Sequence, residues 1–166
     1  MGTDTVTAKK LLKHAIRSEI DGRRFYTFLA EKTANPDAKR KLNNLAKDEK
    51  RHEATLYKIF KKQYNEDVGD IPEKGIGVLS QFFGDLKAQE GKSEVQYIDL
   101  AIQAELAATS FYKDSAQSAS DAEIKEIYQD MADEEFRHYE SLQAEKAALG
   151  GNYYWFGFEG DAPMED

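Results

Sequence analysis

Six acidic and imidazole side chains of this sequence could together hold metal ions: Glu19, Glu49, His52, Glu105, Glu135 and His138. Two of the acids each precede a histidine by three residues, so on a helix the carboxylate and the imidazole project from one face. All six fall on the apolar stripes of predicted helices. Inward-facing carboxylates without partners are costly to desolvate and would repel one another. Two divalent cations would offset four such charges, which predicts a two-metal carboxylate site.

An internal repeat relates the two halves of this set. A shift of 86 positions lays residues 15–57 over 101–143 without a gap, with 12 identities in 43 positions. It superimposes Glu19 on Glu105 and the two Glu-x-x-His pairs on each other. The sequence therefore predicts a duplicated helical hairpin that supplies two equivalent half-sites. Glu19 and Glu105, alone on their helices, are expected to bridge the metals.

The helical period of apolar residues predicts four helices, at about 8–33, 37–63, 94–118 and 121–148. A break at 35–37 separates the first two helices. One Glu on each of two helices and Glu-x-x-His on the other two is the ligand arrangement of di-iron and di-manganese bundles. This pattern predicts an all-α fold, an antiparallel four-helix bundle spanning residues 1–150.

A long crossover is expected at residues 64–93, with a short helix at about 78–86. It would let the second and third helices run parallel, which is the ferritin-like topology. Residues 151–166 are expected to form a tail whose aromatic part, Tyr153–Phe156, packs on the bundle or on a partner, and whose acidic end frays.

Two further pairs of residues repeat around the six. Asp48 and Glu134 directly precede the Glu-x-x-His pairs and could accept the outer N–H of a metal-bound histidine; a solvated role on the helix face is the alternative. Tyr26 and Tyr112 lie two turns beyond Glu19 and Glu105, where their hydroxyls could hydrogen-bond a ligand glutamate or supply an electron, or where they could simply belong to the core.

Two duplicated arginines, Arg51 and Arg137, are expected to pair with surface acids.

Composition excludes several kinds of site and partner. The chain has no cysteine, which excludes thiolate metal sites and leaves carboxylates and imidazoles, ligands that suit iron, manganese or zinc. The net charge of -8 argues against nucleic acid as a partner. No apolar run is long enough to span a membrane, and the N-terminus has no signal-peptide core, so we expect a cytoplasmic protein.

From these motifs, residues 8–148 resemble the ferritin-like superfamily, and most closely a rubrerythrin reduced to its bundle domain. The resemblance implies two iron ions at the six ligands, reacting with hydrogen peroxide or dioxygen. Typical rubrerythrins add a cysteine-rich rubredoxin domain, so electrons would here come from a separate donor protein or a small reductant. They also have a seventh ligand, a glutamate, where this chain has Ala108; six ligands remain, as in bacterioferritin ferroxidase centres.

Four functions follow from these features. The first is an oxidoreductase, a homodimer, that reduces peroxide or dioxygen at a di-iron site. The second is a ferroxidase or iron-handling protein, although the haem-binding methionine of bacterioferritin is here Lys50. The third is a di-manganese catalase, which uses a similar ligand set. The fourth is a metal- or oxygen-sensing bundle without catalysis.

Overall fold

In the computed structural model, residues 2–76 and 90–149 are described, with the side chains of 2–4 and 149 excepted. Within these ranges the chain forms four helices: α1 (Gly2–Lys32), α2 (Pro36–Tyr64), α3 (Glu94–Ser118) and α4 (Ala122–Leu149). The helix expected at 78–86 and the tail at 151–166 lie outside the described residues. Of the described helices, none is both long and apolar enough to cross a membrane.

The helix boundaries follow local chemistry. Asn35 caps α2, since its side-chain oxygen accepts hydrogen bonds from the backbone N–H groups of Asp37 and Ala38, at 3.0 and 3.1 Å. Ser93 begins α3 with a reciprocal capping box to Gln96. The first helix starts earlier than the expected residue 8, because no proline or glycine interrupts residues 3–10.

The four helices pair as two antiparallel hairpins. α1 packs along α2 and α3 along α4, whereas α2 and α4 approach each other at only a few positions. Contacts such as the edge-on rings of Phe28 and Tyr97, 6.1 Å apart, join α1 to α3. The apolar stripes of all four helices face a common core, from Ile16 and Leu56 in one hairpin to Ile98 and Leu142 in the other. The predicted ferritin-like four-helix bundle is confirmed.

The first part of the crossover runs beside α1 toward the middle of the bundle. After α2 ends at Asn65, in the left-handed conformation (φ 53°), Glu66 pairs with Lys9. Further along, the carbonyl oxygen of Lys74 accepts a hydrogen bond from Nδ1 of His14 at 2.7 Å. The backbone N–H of Ile76 then donates to the buried hydroxyl of Ser18 at 2.8 Å. The crossover is thereby attached to α1 next to Glu19, one of the predicted ligands.

Gly75 is the position where this attachment is tightest. A Cβ atom added there would lie 2.5 Å from the Ser18 hydroxyl and 3.1 Å from its Cα atom. Because the second atom is backbone and cannot swing away, we expect Gly75→Ala to destabilise the protein by about 1–3 kcal/mol. Urea unfolding of the metal-free protein measures this change.

Gly22→Ala in α1 is the matched control. Its added methyl group would meet Glu49 at 3.5 Å, an ordinary contact distance, and alanine favours the helix over glycine. An unfolding midpoint for Gly75→Ala equal to that of the wild type would show that the crossover does not rest on Ser18.

Candidate metal centre

The six predicted metal ligands meet in the middle of the bundle. Each is nearly inaccessible to solvent, from 1% exposure for His52 and Glu135 to 8% for His138. Their ligand atoms form two groups, each within 4.8 Å, composed of Glu19, Glu49, His52 and Glu135 in one and of Glu49, Glu105, Glu135 and His138 in the other. Two overlapping groups of this size have the donors that two metal ions require.

The acids common to both groups are Glu49 and Glu135, while Glu19 and Glu105 each belong to one. This differs from the expectation that Glu19 and Glu105 would bridge the metals. On α4, Glu135 lies between the two histidines: its carboxylate is 3.1 Å from Nδ1 of His52 and 3.0 Å from Nδ1 of His138. The position of the Glu-x-x-His acids between the half-sites thus gives them the geometry of bridging groups.

The two tyrosines hydrogen-bond glutamates of the opposite hairpin. Tyr26 of α1 donates to Glu105 of α3, and Tyr112 of α3 donates to Glu19 of α1. Burial, followed by the neighbouring Glu105 or Glu19, raises the pKa of each phenol well above its usual value. Both hydroxyls therefore keep their protons and act as donors, each orienting a candidate ligand carried by the other half of the repeat.

Asp48 and Glu134, called the outer acids from here on, each contact a histidine of the opposite hairpin. Nε2 of His52 lies 3.0 Å from Glu134 of α4, and Nε2 of His138 lies 3.1 Å from Asp48 of α2. Each imidazole thus presents Nδ1 to the cluster and Nε2 to a carboxylate that can fix its tautomer and orientation. Neither acid contacts the histidine of its own helix in this way.

Arg51 ties these two outer acids together. Its guanidinium donates a hydrogen bond to Asp48 at 2.8 Å. Both terminal nitrogens also donate to the carboxylate of Glu134, one of them at 3.0 Å. The hydrogen bond from His52, followed by those from Arg51, lowers the pKa of Glu134, so that it remains a carboxylate. The duplicated Arg137 forms no such bridge among the described residues. The repeat predicted that both arginines would pair with surface acids in the same way. The difference between them arises from the packing of α2 against α4.

Two buried polar atoms indicate that a metal ion fits the cluster. Glu19 Oε2 and His52 Nδ1 have no hydrogen-bond partner among the residues that the structure describes. The imidazole nitrogen is only 3.1 Å from Glu135 Oε1, so the direction rather than the distance excludes a hydrogen bond. The same nitrogen is 3.7 Å from Glu19 Oε2, and both face the cluster. Unsatisfied carboxylate and imidazole atoms aimed at one point are what a divalent cation would coordinate.

When no metal is bound, protons on the acids and histidines balance the charge of the cluster. Burial and then the neighbouring carboxylates raise the pKa of Glu49, and they raise that of Glu105 to about 8. Burial alone would lower the pKa of His138, but Glu105 and Glu135 outweigh it and raise the value to about 11. Burial likewise opposes the charge of Glu135, yet the two histidines hold its pKa at about 2. Metal ions would replace cationic imidazoles as partners of these acids.

A small opening reaches the cluster between α1 and α3. Its volume is about 20 Å³, and its wall includes Ser18, Gly22, Ala104 and Ala108 together with four of the candidate ligands. Gly22 of α1 and Ala108 of α3 occupy equivalent positions in the repeat, and both line the opening. Because glycine has no side chain and alanine only a methyl group, space is left beside the acids that could admit a molecule about the size of water.

Comparison with known proteins agrees with this geometry. A family model described as rubrerythrin matches residues 10–146. The solved structure of a hypothetical protein from Pyrococcus furiosus is similar, with 31% sequence identity and a TM-score of 0.70, over 88% of this chain and 92% of that one. No curated protein matches significantly. The family match and the buried acid–histidine groups together indicate a di-metal site.

The bridge made by Arg51 predicts a specific effect on metal binding. Arg51→Gln should loosen both outer acids and weaken binding of Co²⁺ by about tenfold, since such partners of metal-binding histidines typically contribute tenfold or more. Optical titration of the metal-free protein with Co²⁺ measures it. Arg137→Gln, at the equivalent repeat position, should bind as the wild type does. Equal affinities for both variants would contradict a role for the bridge.

The raised pKa values predict how stability depends on pH. Folded, metal-free protein holds the proton of Glu105 up to pH about 8 and that of His138 up to about 11, whereas the ordinary values are 4.5 and 6.5. The folded state therefore binds more protons than the unfolded state across this window. The free energy of unfolding should fall as pH rises, by about 1.4 kcal/mol per pH unit for each such proton.

Metal should reverse this trend, because ligation displaces the same protons and becomes more favourable at higher pH. Urea unfolding at pH values of about 6, 7.5 and 9, with chelator and with Co²⁺, measures both effects. A metal-free stability that stays level or increases with pH would show that the cluster does not retain these protons.

Proposed function

The chain belongs to the rubrerythrin family, and from that premise we propose that it is a non-haem di-iron oxidoreductase that reduces hydrogen peroxide. The observation that carries the proposal is the pair of overlapping donor groups that share Glu49 and Glu135. A shared pair of carboxylates would keep two metals close enough to act on one small oxidant. The buried, cysteine-free donor set suits iron.

Each of the six ligands has a proposed place. One metal would be held by Glu19 and His52 and the other by Glu105 and His138, with Glu49 and Glu135 available to both. Six protein ligands for two metals leave coordination positions for an oxidant. When bound, the two ferrous ions supply one electron each for the reduction of peroxide.

The surrounding residues orient these ligands and shape access to them. Tyr26 and Tyr112 hold Glu105 and Glu19 by hydrogen bonds from phenols that stay protonated. The opening between Gly22 and Ala108 is narrow, which favours hydrogen peroxide or dioxygen over a bulky hydroperoxide. The apolar core around the cluster excludes bulk water and so strengthens these polar contacts.

A ferroxidase is the second candidate, favoured by one observation. Position 108 carries a small alanine at the wall of the opening, so the centre has six protein ligands rather than the seven of the rubrerythrin pattern. Dioxygen would then be the oxidant and ferric iron the product. In either case we propose a homodimer in the cytoplasm. The peroxidase would need an external source of electrons, whereas a ferroxidase would take them from its ferrous substrate.

Peroxide oxidation of the iron-loaded protein tests the proposal. Protein loaded anaerobically with Fe²⁺ should bind two ions per chain and change its near-ultraviolet absorption within seconds of adding peroxide. Glu135→Ala removes a shared carboxylate, so we expect at most one ion per chain and a rate reduced by about a hundredfold or more. Glu140→Ala, an exposed acid on the same helix, is the control and should match the wild type.

The same stopped-flow experiment separates the candidates. Faster oxidation by peroxide than by dioxygen at equal concentration supports the peroxidase, and the reverse supports the ferroxidase. Elemental analysis of protein purified without added metal tests iron against manganese. A loaded protein inert to both oxidants would overturn the proposal of a redox enzyme.

A further inference from the structure

A second, larger cavity lies at one end of the bundle, where α2 and α3 finish and α4 begins. Its volume is about 510 Å³, and it is lined by apolar and aromatic side chains, among them Leu12, Tyr64, Phe111, Ile124 and Tyr128. Polar residues, Ser115 among them, also belong to the lining. This volume is in the range of sites for small organic molecules and far exceeds the need of peroxide. The proposed peroxide chemistry makes no use of it.

Aromatic rings connect this cavity to the metal centre. The ring of Tyr128, in the cavity wall, stacks on the ring of Tyr112 with centroids 6.1 Å apart and planes inclined by 21°. Phe111, also in the wall, meets the same ring edge-on at 5.2 Å. The hydroxyl of Tyr112 then donates to Glu19. Side chains in contact thus lead from the cavity to a proposed ligand, a packed route suited to electron transfer.

The repeat shows that the Tyr128 part of this route exists in one hairpin only, whereas the edge-on contact of Phe111 has an equivalent between Phe25 and Tyr26, 5.7 Å apart. Shifting by 86 positions places Tyr128 on Leu42, a fully buried aliphatic residue. Tyr26, the mate of Tyr112, therefore has no stacked tyrosine at the corresponding position. Among the described residues, the stacked tyrosine is found only in the hairpin of α3 and α4, where Tyr128 lines the cavity. Packing that served the core alone would be expected in both halves of the repeat.

The charges around the cavity exclude an anionic ligand. Lys62 is the single cationic side chain among the described residues that line it, and it pairs with Asp121 and Glu123. The N-terminus of α4 is occupied too, because the Asp121 carboxylate accepts the backbone N–H of Ile124 at 3.0 Å. Asp114 adds a further negative charge to the lining. Among the described lining residues a phosphate group would find no unpaired cation, whereas an uncharged aromatic ring would find apolar and aromatic side chains.

We propose that this cavity binds an uncharged quinol of about the size of a naphthoquinone ring and that this quinol is the electron donor. This inference rests on the proposed peroxide reduction. The quinol loses two electrons and two protons and becomes the quinone. Through Tyr128 and Tyr112 the electrons reach the centre one at a time. Peroxide takes up two electrons and two protons, its O–O bond breaks, and two water molecules form.

Binding is tested first, on protein stripped of metal, with menadione as the probe. Isothermal titration calorimetry should show saturable binding of one menadione per chain. Ser115→Trp, which fills the cavity from α3, should weaken binding by about tenfold or more. Ser110→Trp places the same side chain on an exposed face of the same helix and should bind as the wild type does. Ser118→Trp, an exposed lining position, is a second filling variant in case Ser115→Trp misfolds.

Electron delivery is tested with iron-loaded protein, menadiol and peroxide under anaerobic conditions. The wild type and Ser110→Trp should consume one menadiol per peroxide, and Ser115→Trp should do so about tenfold more slowly. Peroxide should oxidise dithionite-reduced iron at equal rates in all three proteins. Absence of saturable menadione binding up to about 1 mM, or equal binding by the filled variants, would overturn the quinol site. If dithionite-reduced protein did not react with peroxide, the proposed function would be overturned instead. The calorimetry would then still show whether the cavity binds the quinone.

Discussion

The burial of four carboxylates at the centre of one helical bundle is the constraint on which the rest of the structure depends. Glu19, Glu49, Glu105 and Glu135 are each at most 5% exposed, and in an apolar core their mutual repulsion would oppose folding. Protons and the two imidazolium groups balance the charge in the metal-free protein, and two divalent cations can take their place. Stability, metal affinity and pH are therefore linked through a single cluster.

The contacts around the cluster join the two halves of the duplicated chain. Tyr26 and Tyr112 each hold an acid of the opposite hairpin, and Asp48 and Glu134 each hold a histidine of the opposite hairpin. Neither hairpin alone could form a complete half-site, because part of each lies on the other. The α2 and α4 helices approach at few positions, so these polar contacts and Arg51 account for much of what connects them.

The duplication is not exact, and its departures give the two half-sites different surroundings. Arg51 bridges the outer acids while Arg137 forms no such bridge within the described part of the chain, so the surroundings of the two histidines differ. Tyr128 continues the aromatic stack away from Tyr112, whereas its mate Leu42 ends the equivalent path in the other hairpin. Gly22 and Ala108 differ by one methyl group and keep the opening beside the shared acids.

The sequence by itself determined the bundle, the duplication and the set of six residues that meet at its centre. Helical periodicity and the three-residue spacing of Glu135 and His138 are local properties, and the placement of acids on apolar stripes requires that they converge. Only the tertiary structure decided which residues touch. That Glu49 and Glu135 are shared, and that Tyr112 reaches Glu19, depends on the offset and rotation of one hairpin against the other. The packing of side chains from distant parts of the chain fixes that relation, and no spacing along one helix encodes it.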